Sequence, residues 1–577
     1  MTTIDDRTDA AARGHHTHEV FNQAPPRVGI DEFTSNTPLV EGVARYDAGW
    51  AAAHLSEVGS LVGTAGFQHD AELANTEVPR LHTHDRYGHR IDEVEYHPAY
   101  HRIISAAVEH GAHTSAWAQP RPGANVARAA TFMLFAQVEP GHACPISMTH
   151  SAVPSLMLSP DLSERWLPRL YSRGYDGALA APGDKPGAIF GMAMTEKQGG
   201  SDVRANTTVA QPLSDGTYAL TGHKWFCSAP MSDAFLVLAN AQERSPRSDR
   251  SSERSPRSDR ATQQGLSCFL VPRVLEDGTR NVFRIQRLKD KLGNKSNASS
   301  EIELDGTIGH LVGEPGRGVR TIIEMVSRTR LDCVYGSTAG MRQSVAEALW
   351  HVRHRAAFGA TLVDQPAMTA VVADLALESE AATATALRLA RAHDDDATET
   401  EKAFRRLATA VSKYWICKRG PHHAYESLEC LGGNGYTEAF PLARRYREQP
   451  VMAVWEGSGN VIALDVLRAM TREPESVQAF DVELNLARGA SSLFDAHLDR
   501  VRAMLTDLAT MDPAGAQLRA RPVAAAMALG LQGSLLLRTA PTAVAEAFVA
   551  ARLGADRDFE YGSLPAGTDF AAILERH

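Results

Sequence analysis

The stretch GMAMTEKQGGSDVR, Gly191–Arg204, decides the fold of this chain. An apolar run ends at Met194, and short or polar side chains follow it. The paired glycines in this stretch permit positive φ and remove Cβ atoms from a surface that a ligand would approach. The hydroxyls of Thr195 and Ser201 stand beside exposed backbone N–H groups, which suits the edge of a ring or a phosphate. Taken alone, the stretch also fits a polar loop between two strands.

Two further stretches favour a ligand site over a plain loop. Thr221–Pro230, TGHKWFCSAP, places the large aromatic Trp225 between a lysine and a serine. Val454–Leu464, VWEGSGNVIAL, isolates a single carboxylate, Glu456, between an aromatic residue and a glycine. Trp225 by itself would fit an ordinary strand aromatic, but the Lys-Trp-x-x-Ser context does not favour that interpretation.

Six segments, in order along the chain, resemble the flavin-dependent acyl-CoA dehydrogenase family. They look most like its AidB branch, which is named for an adaptive response to DNA alkylation. The resemblance runs from about Val20 to about Leu467 and implies an FAD-binding oxidoreductase that acts on acyl-CoA. The segments are Met194–Val203 (MTEKQGGSDV), Gly222–Ser228 (GHKWFCS), Leu288–Leu304 (LKDKLGNKSNASSEIEL), Arg355–Gly359 (RAAFG), Leu431–Tyr436 (LGGNGY) and Trp455–Asn460 (WEGSGN).

The resemblance also implies which residues hold the flavin. Trp225 lies against the isoalloxazine face, and Arg355 of a neighbouring subunit pairs with the pyrophosphate, as a guanidinium fork can. A single chain then holds FAD poorly, so a homodimer or a homotetramer, a dimer of dimers, is expected. The full implied set is Met192, Met194, Thr195, Gly199, Gly200, Ser201, Trp225, Phe226, Cys227, Ser228, Arg355, Phe358, Gly432, Gly433, Val454, Trp455, Gly457, Ser458 and Asn460.

Two positions depart from the family pattern. The family has a hydroxyl that donates to flavin N5 two residues after the tryptophan, and this chain has Cys227 there, followed by Ser228. Either the strand shifts so that Ser228 donates, or the donor is weaker. Glu429 stands where most relatives have glutamine, which exchanges a neutral donor near the phosphates for a carboxylate.

Glu456 is the catalytic candidate. Dehydrogenation of a thioester needs a base for the α proton, and a desolvated carboxylate has a pKa raised toward neutrality. Trp455 excludes water on one side, and Gly457 lets the chain turn on the other. Some branches take their base from an earlier helix, where this chain has Thr329. A helix N-terminal acid that favours the dipole is an alternative role for Glu456.

Size, charge and cysteine usage restrict the class of protein. The chain has 577 residues, 44% of them hydrophobic, so three or four domains are expected. The net charge of −10 argues against a general preference for nucleic acid or anionic membrane.

Six scattered cysteines without a C-x-x-C pair predict reduced thiols in a cytoplasmic protein. Residues 1–19 have no apolar signal core, and Val523–Leu537 is too short to span a membrane, so it is expected to be a core helix.

Periodicity predicts an α+β multidomain fold of the acyl-CoA dehydrogenase type. Helical spacing predicts helices over Gly316–Trp350, Gln365–Arg391, Thr398–Cys417, Ala424–Leu431 and Val461–Met470, and the polar stretch Leu81–Asp92 is predicted to be a loop. The expected parts are a flexible segment 1–30, a helical domain 31–185, a β-barrel-like domain 186–312, a helical bundle 313–475 and an appended helical domain 476–577.

Two polar segments are expected to carry no site. Glu243–Arg250 recurs letter for letter at Glu253–Arg260, and the segment 243–262 has almost no apolar residue, so a disordered loop insertion is favoured over an RNA-binding Arg/Ser repeat. His15, His16 and His18 lack a Cys or acidic partner at ligand spacing, so a frayed tail is favoured over a metal site, and no metal is predicted.

Two functions remain open at this point. One is slow dehydrogenation of a short or branched acyl-CoA such as isovaleryl-CoA. The other is a flavin-bearing protein that binds double-stranded DNA and protects it against alkylation, with vestigial dehydrogenation. Residues 476–577 hold nine Arg, no Lys and twelve Asp plus Glu, a net charge of −3, so any DNA binding is expected to be weak. Arg468, Arg519 and Arg521 are the candidate DNA contacts, and solvated surface charges are the alternative.

Overall fold

This computed structural model describes residues 17–243, 263–554 and 560–577, so the duplicated segment and His15 and His16 lie outside the described residues. The first part of the chain is mainly helical, and its helix α6 is buried except for Asn125. The helices are α1 Thr37–Arg45, α2 Ala52–Val62, α3 Ala65–Thr76, α4 Pro98–Glu109, α5 Ser115–Ala118, α6 Ala124–Ala136, α7 Ala143–Leu156 and α8 Pro160–Leu170.

A β-hairpin, β1 Arg80–His84 and β2 Arg90–Glu95, replaces the loop predicted over Leu81–Asp92, and that prediction was wrong. The strands pair antiparallel, with Leu81 opposite Val94. Asp85 forms the turn, because its carboxylate accepts backbone N–H bonds from Tyr87 and His89. Polar residues on the exposed face of the hairpin concealed the alternation of its inner face.

The middle domain is a closed β-structure, which confirms the predicted β-barrel-like domain. Strands β4, β5, β9, β7 and β6 pair in a ring, β3 adds to β6 in parallel, and β8 adds to β9. Strand β6 is buried on both faces: Phe235 and Val237 pack inside the ring, while Leu236 and Leu238 pack against the helices. The strands are β3 Phe190–Ala193, β4 Val209–Pro212, β5 Tyr218–Ser228, β6 Ala234–Gln242, β7 Gln263–Pro272, β8 Arg284–Leu288 and β9 Ser299–Val312.

The helical bundle follows the barrel. Its third helix is continuous through Pro421, so the two helices predicted over Thr398–Cys417 and Ala424–Leu431 are one. Proline costs this helix a backbone hydrogen bond, and packing on both sides of it offsets that loss. A helix that ends at Val454 was not predicted. The elements are α9 Gly318–His354, the hairpin β10 Ala356–Ala357 and β11 Ala360–Thr361, α10 Pro366–Arg391, α11 Glu399–Glu429, α12 Pro441–Val454 and α13 Gly459–Arg472.

The last helices pack back onto the bundle. Arg388 of α10 donates to Glu483, and Arg538 pairs with the same carboxylate. Among the described residues, α16 is the one helix long and apolar enough to cross a bilayer, but 78% of its most apolar window is buried, as expected for a core helix. The six cysteines are buried and free, as predicted. The helices are α14 Pro474–Asn485, α15 Ser492–Thr510, α16 Pro513–Thr539, α17 Thr542–Leu553 and α18 Phe570–Leu574.

One buried carboxylate joins the helical and β parts of the chain. Glu139 accepts hydrogen bonds from Asn75 Nδ2 (3.0 Å), from the backbone of His142 (2.8 Å) and from Ser296 Oγ (2.6 Å). Burial alone would raise the pKa of Glu139, but the bonds from His142 and Ser296 lower it to about 2. The carboxylate is therefore charged at neutral pH and fixes where these parts meet.

Candidate functional site

The loop between α12 and α13 presents Glu456 in a strained backbone conformation. Glu456 has φ 56° and Gly457 has φ 110°, both in the left-handed region. A non-glycine residue adopts this conformation at a cost of order 1–3 kcal/mol, so surrounding contacts must hold it. The strain therefore marks Glu456 as a residue whose position is imposed by its surroundings.

Lys413 supplies the principal restraint on this loop. Its Nζ, buried within α11, donates to the carbonyl oxygens of Met452 (3.2 Å), Trp455 (2.9 Å) and Gly457 (2.8 Å). These three carbonyls flank Glu456 on both sides. One ammonium thus satisfies the polar backbone at the end of α12 and fixes the turn that carries the carboxylate.

The side chain of Glu456 meets the residue that replaces the alternative base. Thr329 Oγ1 lies 2.9 Å from Glu456 Oε2, and Arg330 Nε donates to the Glu456 carbonyl (3.0 Å). Burial raises the pKa of Glu456 above its ordinary value, and the Thr329 bond and the charges of Arg330 and Lys413 oppose the rise. Such a carboxylate is a stronger base than an exposed one.

A second loop, Thr195–Ser201, is anchored by a buried ion pair. Glu196 accepts from Lys224 Nζ (2.9 Å) and from the backbone N–H groups of Thr207 (2.7 Å) and Thr208 (3.1 Å). Burial opposes ionisation, yet these bonds hold the pKa of Glu196 well below its ordinary value. The loop is therefore rigid at its root, while Gly200 and Ser201 remain exposed.

The open part of this loop fits a flavin ring. The backbone N–H of Trp225 donates to the Thr195 carbonyl (2.9 Å), which aligns the loop with strand β5. No side-chain hydrogen bond engages the Thr195 hydroxyl within the described part of the chain, so it is available to a ligand. A Cβ on Gly199 would meet no atom within 4 Å, whereas one on Gly200 would come within 2.8 Å of Thr195 Oγ1. Backbone and hydroxyl therefore form an open cradle whose donors suit the polar edge of a flavin.

Trp225 has one face already covered. Lys289 Nζ lies 3.4 Å from the centre of its ring and also pairs with Glu301 (2.6 Å). Arg287 and Lys197 lie farther away, 5.7 and 5.8 Å from the same ring centre, and these cations hold the ring in place. Phe226 is half exposed, and Lys289 Nζ lies 4.7 Å from the centre of its ring.

The strand places Cys227 and Ser228 differently. Cys227 is wholly buried in the core, where burial raises the pKa of its thiol to about 12, so its side chain offers no contact to a flavin. The pairing of β5 with β9 shifts between Lys224 and Cys227. Ser228 after this irregularity is half-buried and lies 3.2 Å from the Ser299 hydroxyl. Because Cys227 is buried, Ser228 is the residue of the two that can reach a ligand, and its role as the flavin donor stays a prediction.

Apolar residues that are far apart in sequence pack against one cluster. Met192 and Met194 of the first motif and Trp455 of the last pack against this cluster, which includes Cys144. Burial raises the pKa of Cys144 to about 11, and Glu456 is among the charges that act on it. The first and last motifs thus meet the same apolar cluster.

Comparison with known proteins agrees with this geometry. Family models match the chain for the adaptive response protein AidB N-terminal domain (residues 22–177), the acyl-CoA dehydrogenase middle domain (191–307) and the acyl-CoA dehydrogenase C-terminal domain (316–471). A protein of Escherichia coli strain K12, named as the acyl-CoA dehydrogenase AidB, is 44% identical over 491 residues, which are 85% of this chain and 87% of that protein. The chain belongs to the acyl-CoA dehydrogenase family, in its AidB-like branch.

Other relatives of this acyl-CoA dehydrogenase agree. Acyl-CoA dehydrogenase family member 11 of Caenorhabditis elegans is 30% identical over 461 residues, 78% of this chain and 71% of that protein. The crystal structure of Caenorhabditis elegans ACDH-11 in complex with C11-CoA superimposes with a TM-score of 0.84 at 26% identity and covers 94% of each chain. The chain is therefore an oxidoreductase of this family, as its motifs predicted.

Some residues predicted to bind the flavin of this AidB-like dehydrogenase lie at the protein surface and not in the Glu456 loop. Arg355 follows α9, and its Nη1 donates to the Asn22 carbonyl (2.6 Å). Phe358 is fully exposed at the tip of the β10–β11 hairpin, with φ 52°. Gly432 and Gly433 begin a short 3₁₀ helix and have open space where a Cβ would stand. Completion of a site by these residues of a second subunit stays a prediction.

The candidate DNA contacts do not form one uniform basic face. Arg468 is exposed and lies 3.3 Å from Asp465, and Arg519 is exposed on α16. Arg521 Nε instead donates to Asn460 Oδ1 (2.7 Å), a residue of the last flavin motif. Arg502, also in the appended domain, pairs with Asp481 (2.9 Å).

Sequence reasoning missed the residues that hold the site in shape. Lys413 lies in the middle of a helix, and a lysine at such a position is usually solvated. Glu196 and Lys224 each stood inside a recognised motif without a role. No local pattern indicates this pair, because Glu196 stands among polar residues and Lys224 lies 28 residues away in the chain.

Proposed function

We propose that this chain binds FAD and catalyses the α,β-dehydrogenation of a short or branched acyl-CoA, such as isovaleryl-CoA. The observation that carries the proposal is Glu456, a half-buried residue whose desolvated carboxyl has a raised pKa, on a loop locked by Lys413. Trp455 precedes it in the chain and packs, like Met192 and Met194, against one apolar cluster, which supports a short or branched acyl group. The acyl-CoA class is supported by the family and by the C11-CoA ligand of the structural relative.

The protein's own side chains supply the base, hold it in position and exclude water from it. Glu456 takes the α proton of the thioester on a carboxylate oxygen, while Thr329 holds that carboxylate in place. Trp455 and the methionines exclude water, which keeps the carboxylate basic. The flavin supplies the acceptor for the β hydride. Thr195, Ser228, Trp225 and the glycines of the first motif would hold its ring.

A flavin-bleaching screen tests this proposal. Protein reconstituted with FAD is mixed without oxygen with acetyl-, butyryl-, isovaleryl-, octanoyl- and dodecanoyl-CoA, and flavin absorbance is followed. We expect bleaching by the branched and short substrates, at a slow rate. If none of the thioesters bleaches the FAD-loaded protein, the dehydrogenase proposal is wrong.

Replacing Trp225 with alanine is expected to weaken FAD binding about fivefold, because a stacking face is worth on the order of 1 kcal/mol. Fluorescence titration of the apoprotein with FAD measures the change. Trp50→Ala serves as the control, because Trp50 is an exposed aromatic residue of the N-terminal helices. Equal affinities of the wild type and Trp225→Ala would remove Trp225 from the flavin site.

We also propose assembly as a homotetramer, a dimer of dimers. The fully exposed Phe358 beside Arg355, and the open Gly432-Gly433 turn with the exposed Tyr436, support it. An aromatic ring left entirely in water at a hairpin tip is costly unless a partner covers it. Analytical ultracentrifugation of wild type and Phe358→Ser tests the assembly.

Double-stranded DNA is a second candidate ligand, favoured by the exposed, unpaired Arg519 among the described residues and by AidB-like membership. We expect weak binding that falls about 40-fold between about 50 and 200 mM salt if three arginines meet phosphates. Arg468→Ala, Arg519→Ala and Arg521→Ala should each flatten that slope. Arg502→Ala, in an ion pair with Asp481, is the control. Tight binding that ignores salt would contradict this assignment.

A further inference from the structure

We propose that Lys291 is a positioning residue that polarises a chain of two hydroxyls, Ser299 and Ser228, so that the Ser228 proton points into the flavin site. The inference rests on the proposed function, because it assigns how this chain supplies the donor that its motif lacks at Cys227. Lys291 belongs to the third recognised motif and had no role in the sequence.

The contacts form a continuous line. Lys291 Nζ donates to the Asn297 carbonyl and to Ser299 Oγ (3.0 Å). Ser299 Oγ lies 3.2 Å from Ser228 Oγ. Ser299 is buried, and Lys291 and Ser228 are half-buried. The line therefore runs from an ammonium at one end to a hydroxyl at the edge of the site.

The ammonium sets the direction of every proton in this line. An ammonium can only donate, so Ser299 Oγ must accept from Lys291. A hydroxyl oxygen has two lone pairs and could accept from both neighbours, but Ser228 Oγ is the one acceptor that the described contacts offer to the single Ser299 proton, so we assign that proton to Ser228. Because Ser228 accepts that proton, its own proton must point away from Ser299. With a neutral residue at position 291, the hydrogen bond between the Ser299 and Ser228 hydroxyls could run in either direction.

The far end of the line lies near the Cys144 thiol. Burial raises the pKa of this thiol, Lys291 and Ser228 lower it, and Glu456 raises it further. Ser228 and Glu456 therefore both influence the same thiol.

Lys291 remains a cation in this setting at neutral pH. Burial lowers its pKa to about 8, while the nearby Cys144, Glu448 and Glu139 oppose the fall. Glu448 is a weak partner because burial raises its own pKa to about 7. The ammonium is therefore charged but not neutralised by a tight ion pair. Both its charge and the oriented hydroxyl favour reduced flavin, which carries more negative charge than oxidised flavin.

The first test measures the ratio of reduced to oxidised bound flavin against a reference dye, with no acyl-CoA present. Lys291→Met, Ser299→Ala and Ser228→Ala are each expected to lower that ratio about tenfold, the effect of one charge-assisted hydrogen bond. Lys291→Arg should restore most of it. Lys295→Met, a change of a neighbouring lysine in the same motif, should leave the ratio unchanged. A purely structural role would not give this pattern.

A double-mutant comparison tests the relay itself. Adding Ser299→Ala to Ser228→Ala should not lower the ratio of reduced to oxidised flavin any further, because the line of hydroxyls is already broken. Fully additive losses, or a Lys291→Met protein with the wild-type ratio, would overturn the inference.

A measurement on the apoprotein separates this inference from the proposed function. Thiolate absorbance of wild type minus Cys144→Ser reports ionisation of Cys144 against pH. In the apoprotein no flavin competes for the Ser228 proton, so Ser299→Ala should shift that titration upward because Ser228 no longer points at the thiol. An unchanged titration in both Ser299→Ala and Lys291→Met would overturn the relay even if dehydrogenation is confirmed.

Discussion

Replacing Glu456 with glutamine is expected to lower the rate of flavin bleaching by acyl-CoA at least about 10³-fold while FAD stays bound. The change preserves shape and removes the base, and general-base catalysis contributes about 10²–10⁴-fold. Anaerobic stopped-flow absorbance measures the rate, and the flavin spectrum measures occupancy. Glu475→Gln, an exposed carboxylate at the start of α14, is the matched control. Bleaching by Glu456→Gln at the control rate would place the base elsewhere.

The same carboxyl predicts a pH dependence. Because burial raises the pKa of Glu456, the reactive carboxylate is lost as pH falls through that raised value, and the bleaching rate should fall with it. A raised pKa in the folded state also means that stability decreases as pH rises between the unfolded and folded values. At neutral pH, Glu456→Gln should therefore melt no lower than wild type.

Replacing Lys413 with methionine is expected to cost about 2–5 kcal/mol of stability and most of the activity. The change leaves three backbone carbonyls around Glu456 without their donor, and each unsatisfied buried group costs about 1–3 kcal/mol. The left-handed conformation of Glu456 then loses its restraint. Thermal melting and the bleaching assay measure the two losses.

Lys402→Met is the matched control for Lys413, because Lys402 lies on the same helix and pairs only with the exposed Glu399. Lys413→Arg should recover part of the stability, since a guanidinium can reach some of the carbonyls. A Lys413→Met protein that melts and reacts like Lys402→Met would show that the loop holds its shape without the ammonium.

The motifs predicted the family and the fold class, and periodicity predicted the elements less well. Glu456, Thr195 and Trp225 were singled out because each stands in a stretch whose residue order is typical of a ligand site, and their roles stay predictions. The β-barrel followed from short apolar strands separated by turns. The burial of Cys227 and the half-buried position of Ser228 could not be predicted, because the pairing of β5 with β9 shifts just before them.

Tertiary packing explains what the sequence could not show. Pro421 normally ends a helix, yet α11 continues through it because both halves are buried against neighbouring helices. Charged and histidine residues hid the hairpin that contains Leu81. Lys413 and Lys291 are ordinary lysines in sequence, and their roles depend on carbonyls and hydroxyls contributed by distant parts of the chain.

Glu139 has a consequence for protein engineering. Its hydrogen bonds come from α3, from the start of α7 and from the segment before β9, and Glu448 of α12 accepts from Asn294 in that same segment (2.7 Å). A fragment cut at the boundary near residue 186 would keep the donors from Asn75 and His142 but lose Ser296 Oγ and expose the charged carboxylate. Chimeras with other family members should therefore exchange these positions as a set, because the chain is modular in evolution but cooperative in folding.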